Sequence, residues 1–152
     1  MPTFENDGDR AREDDVAAEI SAAWHCTCGR MGPYSPFDRY LVKAGRLVAV
    51  AEIKTRTNRT LETFPTVYIN LDKWVTLTVA EAALRVAGLF VIAFSDGIYW
   101  VRVGRVPLAQ CEVGRRGRTD RKDVTDDVVP AVELPTSLFR NLAGEQATRR
   151  SA

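Results

Sequence analysis

A chain of 152 residues, 45% hydrophobic and 27% charged, has room for one domain with a real core and too little for two comfortable ones. Its net charge of +1 excludes a global field that would draw it to nucleic acid. No apolar run approaches the roughly 18–20 residues of a membrane span, and the opening "MPTFENDGDRAREDD" is too acidic for a secretory signal. The expectation is a cytoplasmic protein with no membrane partner.

From Arg10 to Trp24 the sequence reads as a helix, with Val16, Ile20, Ala23 and Trp24 at i, i+4, i+7 and i+8. Glu19 falls on or beside that inward stripe, where a carboxylate needs a reason. "CGRMGPYSP" reads as a loop. Two strands follow, about Phe37–Val42 and Arg46–Thr55, joined by "KAG". A three-residue loop with Gly in third place fits a type I turn plus bulge.

"TRTNRTLETFPT" is a polar loop, "VYI" a short strand, and Leu71–Ala87 a helix striped by Leu71, Trp74, Leu77, Ala80, Leu84 and Ala87, with Gly88 as its stop. "LFVIAF" and "IYWVRV" flank Asp96-Gly97 as a hairpin. "GRRGRTDRKDVTDD" is a charged loop, and "VVPAVELP" reads as an edge strand because of Pro130. The domain plan is therefore a single unit over 1–152, with a core at about 10–112, a charged loop at 113–127 and a C-terminal extension at 128–152.

Cys26, Cys28 and Cys111 make an odd count, which points to reduced thiols. On paper His25, Cys26, Cys28 and Cys111 also supply four zinc ligands, although C-x-C is not the usual zinc spacing.

Side chains alternate along a strand, so Glu52 and Lys54 share a face with Val48 and Val50. With Lys43, Ala44 and Gly45 as the loop, Val42 pairs with Arg46, and Asp38 lands opposite Val50, diagonal to Glu52. Two carboxylates about 4 Å apart repel by roughly 4 kcal/mol at an effective dielectric near 20. A divalent cation offsets that repulsion, and oxygen ligands suit Mg²⁺ or Mn²⁺. Lys54 on the same face can orient an attacking water or neutralise a phosphate, which is what phosphodiester hydrolysis requires. Arg56 and Arg59, just past this strand, are candidate phosphate contacts. The other acid-x-Lys run, Asp120-Arg121-Lys122, lacks a strand around it.

"SPFDRY…AEIKT" resembles the PD-(D/E)XK nuclease superfamily over about residues 10–103. Pro36-Phe37-Asp38 and Glu52-Ile53-Lys54 are separated by thirteen intervening residues, with Phe37 standing where the family often has proline and aspartate adjacent. The resemblance implies an α/β fold, a small mixed β-sheet flanked by helices in a restriction-endonuclease-like αβββαβ core. It implies a Mg²⁺- or Mn²⁺-dependent deoxyribonuclease in which Asp38, Glu52 and the Ile53 backbone carbonyl hold the metal and Lys54 is the catalytic lysine. A first-helix acid often joins the metal site: Glu19 is the choice here and Glu13 the reserve. Lys73, on the second core helix, is the candidate for a further nucleic-acid contact. DNA is the expected partner, with structure-selective cutting and a homodimer both compatible with so small a domain; the apolar hairpin "LFVIAF…IYWVRV" is the expected dimer face. Two further readings stay open: a non-catalytic nucleic-acid-binding or interaction module on the same fold, and a small zinc-stabilised binding protein.

Overall fold

The N-terminal helix runs Asp7–Trp24 (α1) in the computed structural model, which describes residues 7–107, 112–117 and 128–144. Its acids crowd the N-terminal turns, where the helix dipole favours negative charge, and Val16, Ile20 and Ala23 are buried as the spacing predicts. After it the chain forms β1 (Thr27–Arg30), β2 (Arg39–Lys43), β3 (Arg46–Arg56), β4 (Thr66–Asn70), α2 (Leu71–Leu84), β5 (Ala87–Phe94), β6 (Gly97–Arg102), β7 (Glu112–Gly117), β8 (Val128–Pro135) and β9 (Arg140–Asn141). The described residues form a six-stranded mixed sheet, ordered β1-β2-β3-β5-β6-β9, and a three-stranded sheet, ordered β4-β8-β7. The fold class is the expected one. No described helix is long and apolar enough to cross a membrane.

The large sheet has two differently dressed faces. Ala49, Ala51, Ile53, Leu89 and Val91 pack against α1. Val50, Phe90, Ile92 and Phe94 point the other way, onto a second core shared with α2, β4 and β8. β3 and β5 run parallel, with Glu52 beside Phe90 and Lys54 beside Ile92. The row Val50, Glu52, Lys54 and Arg56 therefore lies on the α2 side.

The β2–β3 hairpin departs from expectation twice. Lys43 pairs with Arg46, so the loop is only Ala44-Gly45, both at positive φ (51° and 74°), as the tight hairpin turn requires. Alone, that turn would have put Asp38 on the wrong face. However, Val42 pairs with Leu47 while Leu41 pairs with Ala49, so Val48 is an extra residue in β3. This bulge restores the parity. At the far end Arg39 pairs with Ala51, and Asp38, one step beyond, comes across from Glu52 rather than Val50.

Other differences have local causes. Cys28–Arg30 belongs to β1 rather than a loop, paired with Arg39–Leu41. α2 stops at Leu84, because Arg85 takes the left-handed conformation (φ 54°) that Gly88 was expected to supply. Gly88 instead lies in β5, where a Cβ would come within 2.7 Å of the Leu77 carbonyl oxygen. Leu84 is consequently exposed, and Ala87 is a strand residue.

β8 is a central strand, not an edge. Pro130 is tolerated there because the β4 pairing ends at Ala131, so the missing N–H interrupts no bond on that side. Part of the expected charged loop forms β7, and Arg118–Asp127 lie outside the described residues. The expected dimer face is also displaced: β5 is sandwiched between β3 and β6, and β6 is flanked by β9. Phe90, Val91 and Ile92 are core residues.

Candidate active site

Asp38 ends the loop before β2. Its backbone N–H donates to the Ala51 carbonyl at 3.2 Å, and its side-chain Oδ2 accepts the Ile53 backbone N–H at 3.0 Å. The strand that carries Glu52 and Lys54 thus also fixes the aspartate. Ile53 was expected to contribute through its carbonyl; what the geometry adds is its N–H, a contact that appears only once the bulged register is known.

Glu52 is 7% exposed, and its Oε2 has no hydrogen-bond partner. The nearest cation is Lys73 Nζ, 3.6 Å away, reaching down from the first turn of α2. Lys73 Nζ also lies 3.5 Å from the Pro36 carbonyl, which ties α2 to the loop that carries Asp38. Burial pushes the Glu52 carboxyl from an ordinary 4.5 up to about 8, and the neighbouring Asp38 charge pushes the same way, outweighing the pull of Lys73 and Lys54. Like charges in a shared low-dielectric site cannot both ionise cheaply, and a protonated member can hydrogen-bond its neighbour. Lys54 is half-buried on the same face.

Arg56 continues the row. Its guanidinium donates to the Thr55 carbonyl at 2.8 Å. Arg59 packs its guanidinium 5.1 Å from the Phe64 ring centroid and 5.6 Å from that of Phe94, while its carbonyl accepts from Ser95. A line of positive charge therefore leads from the carboxylate pair along the end of β3.

The first-helix acids do not join this group. Glu19 is exposed and lines a cavity between α1 and the β5–β6 turn, across the sheet from Glu52. Its stripe faces the Ala49–Ala51–Ile53 side, which is the reason it cannot meet the pair. Glu13 is turned inward, but it accepts from Arg39 Nε at 3.0 Å on that same side. Arg39 is 4% exposed, and its Nη2 also reaches Asp14 at 2.5 Å. The inward acid is thus Glu13, the reserve, rather than the exposed Glu19, and helical spacing alone does not say which sheet face receives the helix.

The donor set suits a hard cation: two carboxylates, one with a buried oxygen that accepts no hydrogen bond. The described residues contain no cluster of three or more His, Cys, Asp or Glu able to hold a metal. Cys26 and Cys28 are in no disulfide, and burial pushes the Cys28 thiol up to about 11. Cys111 lies outside the described residues.

A Holliday junction resolvase, Hjc, from the archaeal hyperthermophile Archaeoglobus fulgidus shares this fold, with a TM-score of 0.59 at 12% identity over 92% of this chain and 96% of that one. No curated protein sequence matches the chain. The family described as "Phage putative PDDEXK endonuclease" matches residues 1–142, and the chain belongs to that family of nucleases.

Proposed function

We propose that this nuclease is a divalent-cation-dependent DNA endonuclease, and that Asp38, Glu52 and Lys54 carry its chemistry. The observation that supports this most is the buried Glu52 Oε2, which accepts no hydrogen bond, faces Lys73 Nζ at 3.6 Å, and lies beside a second carboxylate. Asp38, Glu52 and the Ile53 carbonyl would hold Mg²⁺ or Mn²⁺, which supplies Lewis acidity at the scissile phosphoryl group. The Ile53 N–H keeps Asp38 aimed at Glu52. The Lys54 ammonium orients the attacking water and balances charge as it builds on the phosphate. Lys73 offsets the charge of Glu52, and with Arg56 and Arg59 it gives the DNA backbone a cationic path. Glu19 has no part in this arrangement.

Likeness to a protein described as a Holliday junction resolvase supports branched DNA as the substrate. Reduced Cys26 and Cys28 fit action in the cytoplasm.

The test is cleavage of labelled linear duplex, single strand, nicked circle, four-way junction and RNA, each with Mg²⁺, Mn²⁺ or EDTA, beside a Glu52→Ala/Lys54→Ala variant. Metal-dependent cutting that the variant loses is expected, strongest on the junction. A variant that cuts like the unaltered protein, or cutting that persists in EDTA, would overturn the assignment.

A further inference from the structure

A second concavity lies on the α1 side of the large sheet, across from Glu52. It has a volume of about 410 Å³ and opens where the end of α1 meets the β2–β3 and β5–β6 strands. Leu41, Ala49, Ala87 and Leu89 form an apolar floor, and the small alanines are what leave it hollow. Trp24 and Trp100 make one wall, edge to face at 5.2 Å. Val48, 38% exposed, extends the apolar surface to the rim, with Leu47 exposed beside it in β3.

The rim is cationic. Lys43, Arg102, Arg105 and Arg140 line the cavity, and no acidic residue does so among those described. Arg102 is engaged by Glu81 at 2.9 Å, and the Arg140 guanidinium lies 5.5 Å from the Trp100 ring centroid. The Trp100 indole Nε1, a donor only, is buried with no acceptor.

We propose that this cavity docks an acidic peptide segment of a partner protein, one carrying a large apolar anchor residue. The anchor fills the floor between Ala49 and Leu89, and the acidic residues beside it in the peptide meet Lys43, Arg105 and Arg140. Charge alone would suit a DNA backbone equally well. The aliphatic floor does not, because a sugar-phosphate chain has nothing to bury there, whereas an apolar side chain gains by leaving water.

Fluorescence anisotropy of a fluorescein-labelled peptide, DDEDLF, titrated with the full chain tests this. Saturable binding is expected, weakened about tenfold or more by Arg105→Glu/Arg140→Glu and also by Val48→Glu. The control peptide DDEDLS should bind at least about tenfold more weakly, and Glu52→Ala should bind DDEDLF as the unaltered chain does. All the altered positions except Glu52 are exposed, and far-UV circular dichroism checks that each variant is folded. The proposal is overturned if DDEDLF does not bind, or if folded charge-reversal variants bind it equally. It is also overturned if DDEDLS matches DDEDLF, if labelled oligothymidylate displaces the peptide from the same residues, or if self-association of the chain does so.

Discussion

The backbone N–H of Ile53 donates to Asp38 Oδ2 over 3.0 Å, so the residue between Glu52 and Lys54 holds in place the aspartate that faces them. Geometry and charge at Asp38 can therefore be separated. Asp38→Asn keeps an acceptor oxygen for Ile53 but loses the charge; cleavage should fall about 10²- to 10³-fold while urea stability stays close to that of the unaltered chain. Asp38→Ala should lose activity similarly and also about 1 kcal/mol of stability with the hydrogen bond. Single-turnover cleavage and urea unfolding of both variants check the separation.

The raised Glu52 carboxyl sets a pH dependence. A folded-state value near 8 against an ordinary 4.5 means that the folded chain binds the extra proton more tightly than the unfolded one. That contribution to stability is complete below pH 4.5 and is lost as pH rises through about 8. Without metal, thermal stability should decline across this window, and Glu52→Gln should flatten the decline and melt roughly 5 °C higher at its alkaline end. Adding Mn²⁺ at 100 times its dissociation constant should restore about 2.7 kcal/mol to the unaltered chain and nothing to Glu52→Gln. Thermal melts across pH, with and without Mn²⁺, measure both effects.

Arg39 is a structural cation rather than a DNA contact. Buried and bonded to Glu13 and Asp14, it fastens the start of α1 to β2. Arg39→Met removes the buried cation that bonds both Glu13 and Asp14, and should cost about 3 kcal/mol in urea unfolding. Cleavage per folded molecule should persist. Glu19→Ala, by contrast, removes an exposed carboxylate on the far side of the sheet, and should change neither stability by more than about 0.5 kcal/mol nor cleavage. A loss of metal-dependent cutting in Glu19→Ala would return the helix acid to the site.

The bulge at Val48 gives the most geometric prediction. Deleting Val48 removes the extra residue while the Ala44-Gly45 turn and the pairs on either side stay as they are, so Leu41 still meets Ala49 and Asp38 still comes across from Glu52. Cleavage should persist in the shortened chain, and its loss would show that the register is set some other way. Gly45→Ala tests the turn itself: φ of 74° costs an alanine about 1 kcal/mol, with activity retained. Circular dichroism and junction cleavage of the two variants together separate register from stability.

Sequence pattern carried the element order and the acid–acid–lysine face, because strand alternation and helical spacing are local properties. The hairpin register shows where local reasoning stops. The three-residue loop was wrong and the bulge was unseen, yet the two errors cancelled in parity and left Asp38 on the Glu52 face, displaced by one pair. Gly88 looked like a helix stop because glycine often is one. Its actual constraint, the close approach of the Leu77 carbonyl, is a tertiary fact that no neighbouring residue signals. β1 went unread because "TCGR" has no apolar alternation and exists by pairing with β2. Lys73 was legible as a cation near the site, but its place over Glu52 depends on how α2 docks.

That docking bears on the order in which the site assembles. Asp38, Glu52 and Lys54 belong to one tight hairpin, the kind of unit that closes in microseconds. Lys73 arrives only when the crossover through β4 and α2 lays β5 alongside β3, a non-local pairing that forms later. The carboxylates therefore meet first in open water, where their repulsion is only about 1 kcal/mol, and the larger cost comes due when α2 seals them in. Closure of the crossover, not formation of the hairpin, becomes the electrostatically contested step of folding. A divalent cation present at that moment should speed refolding in stopped-flow mixing, which would make the proposed cofactor a participant in the chain's maturation.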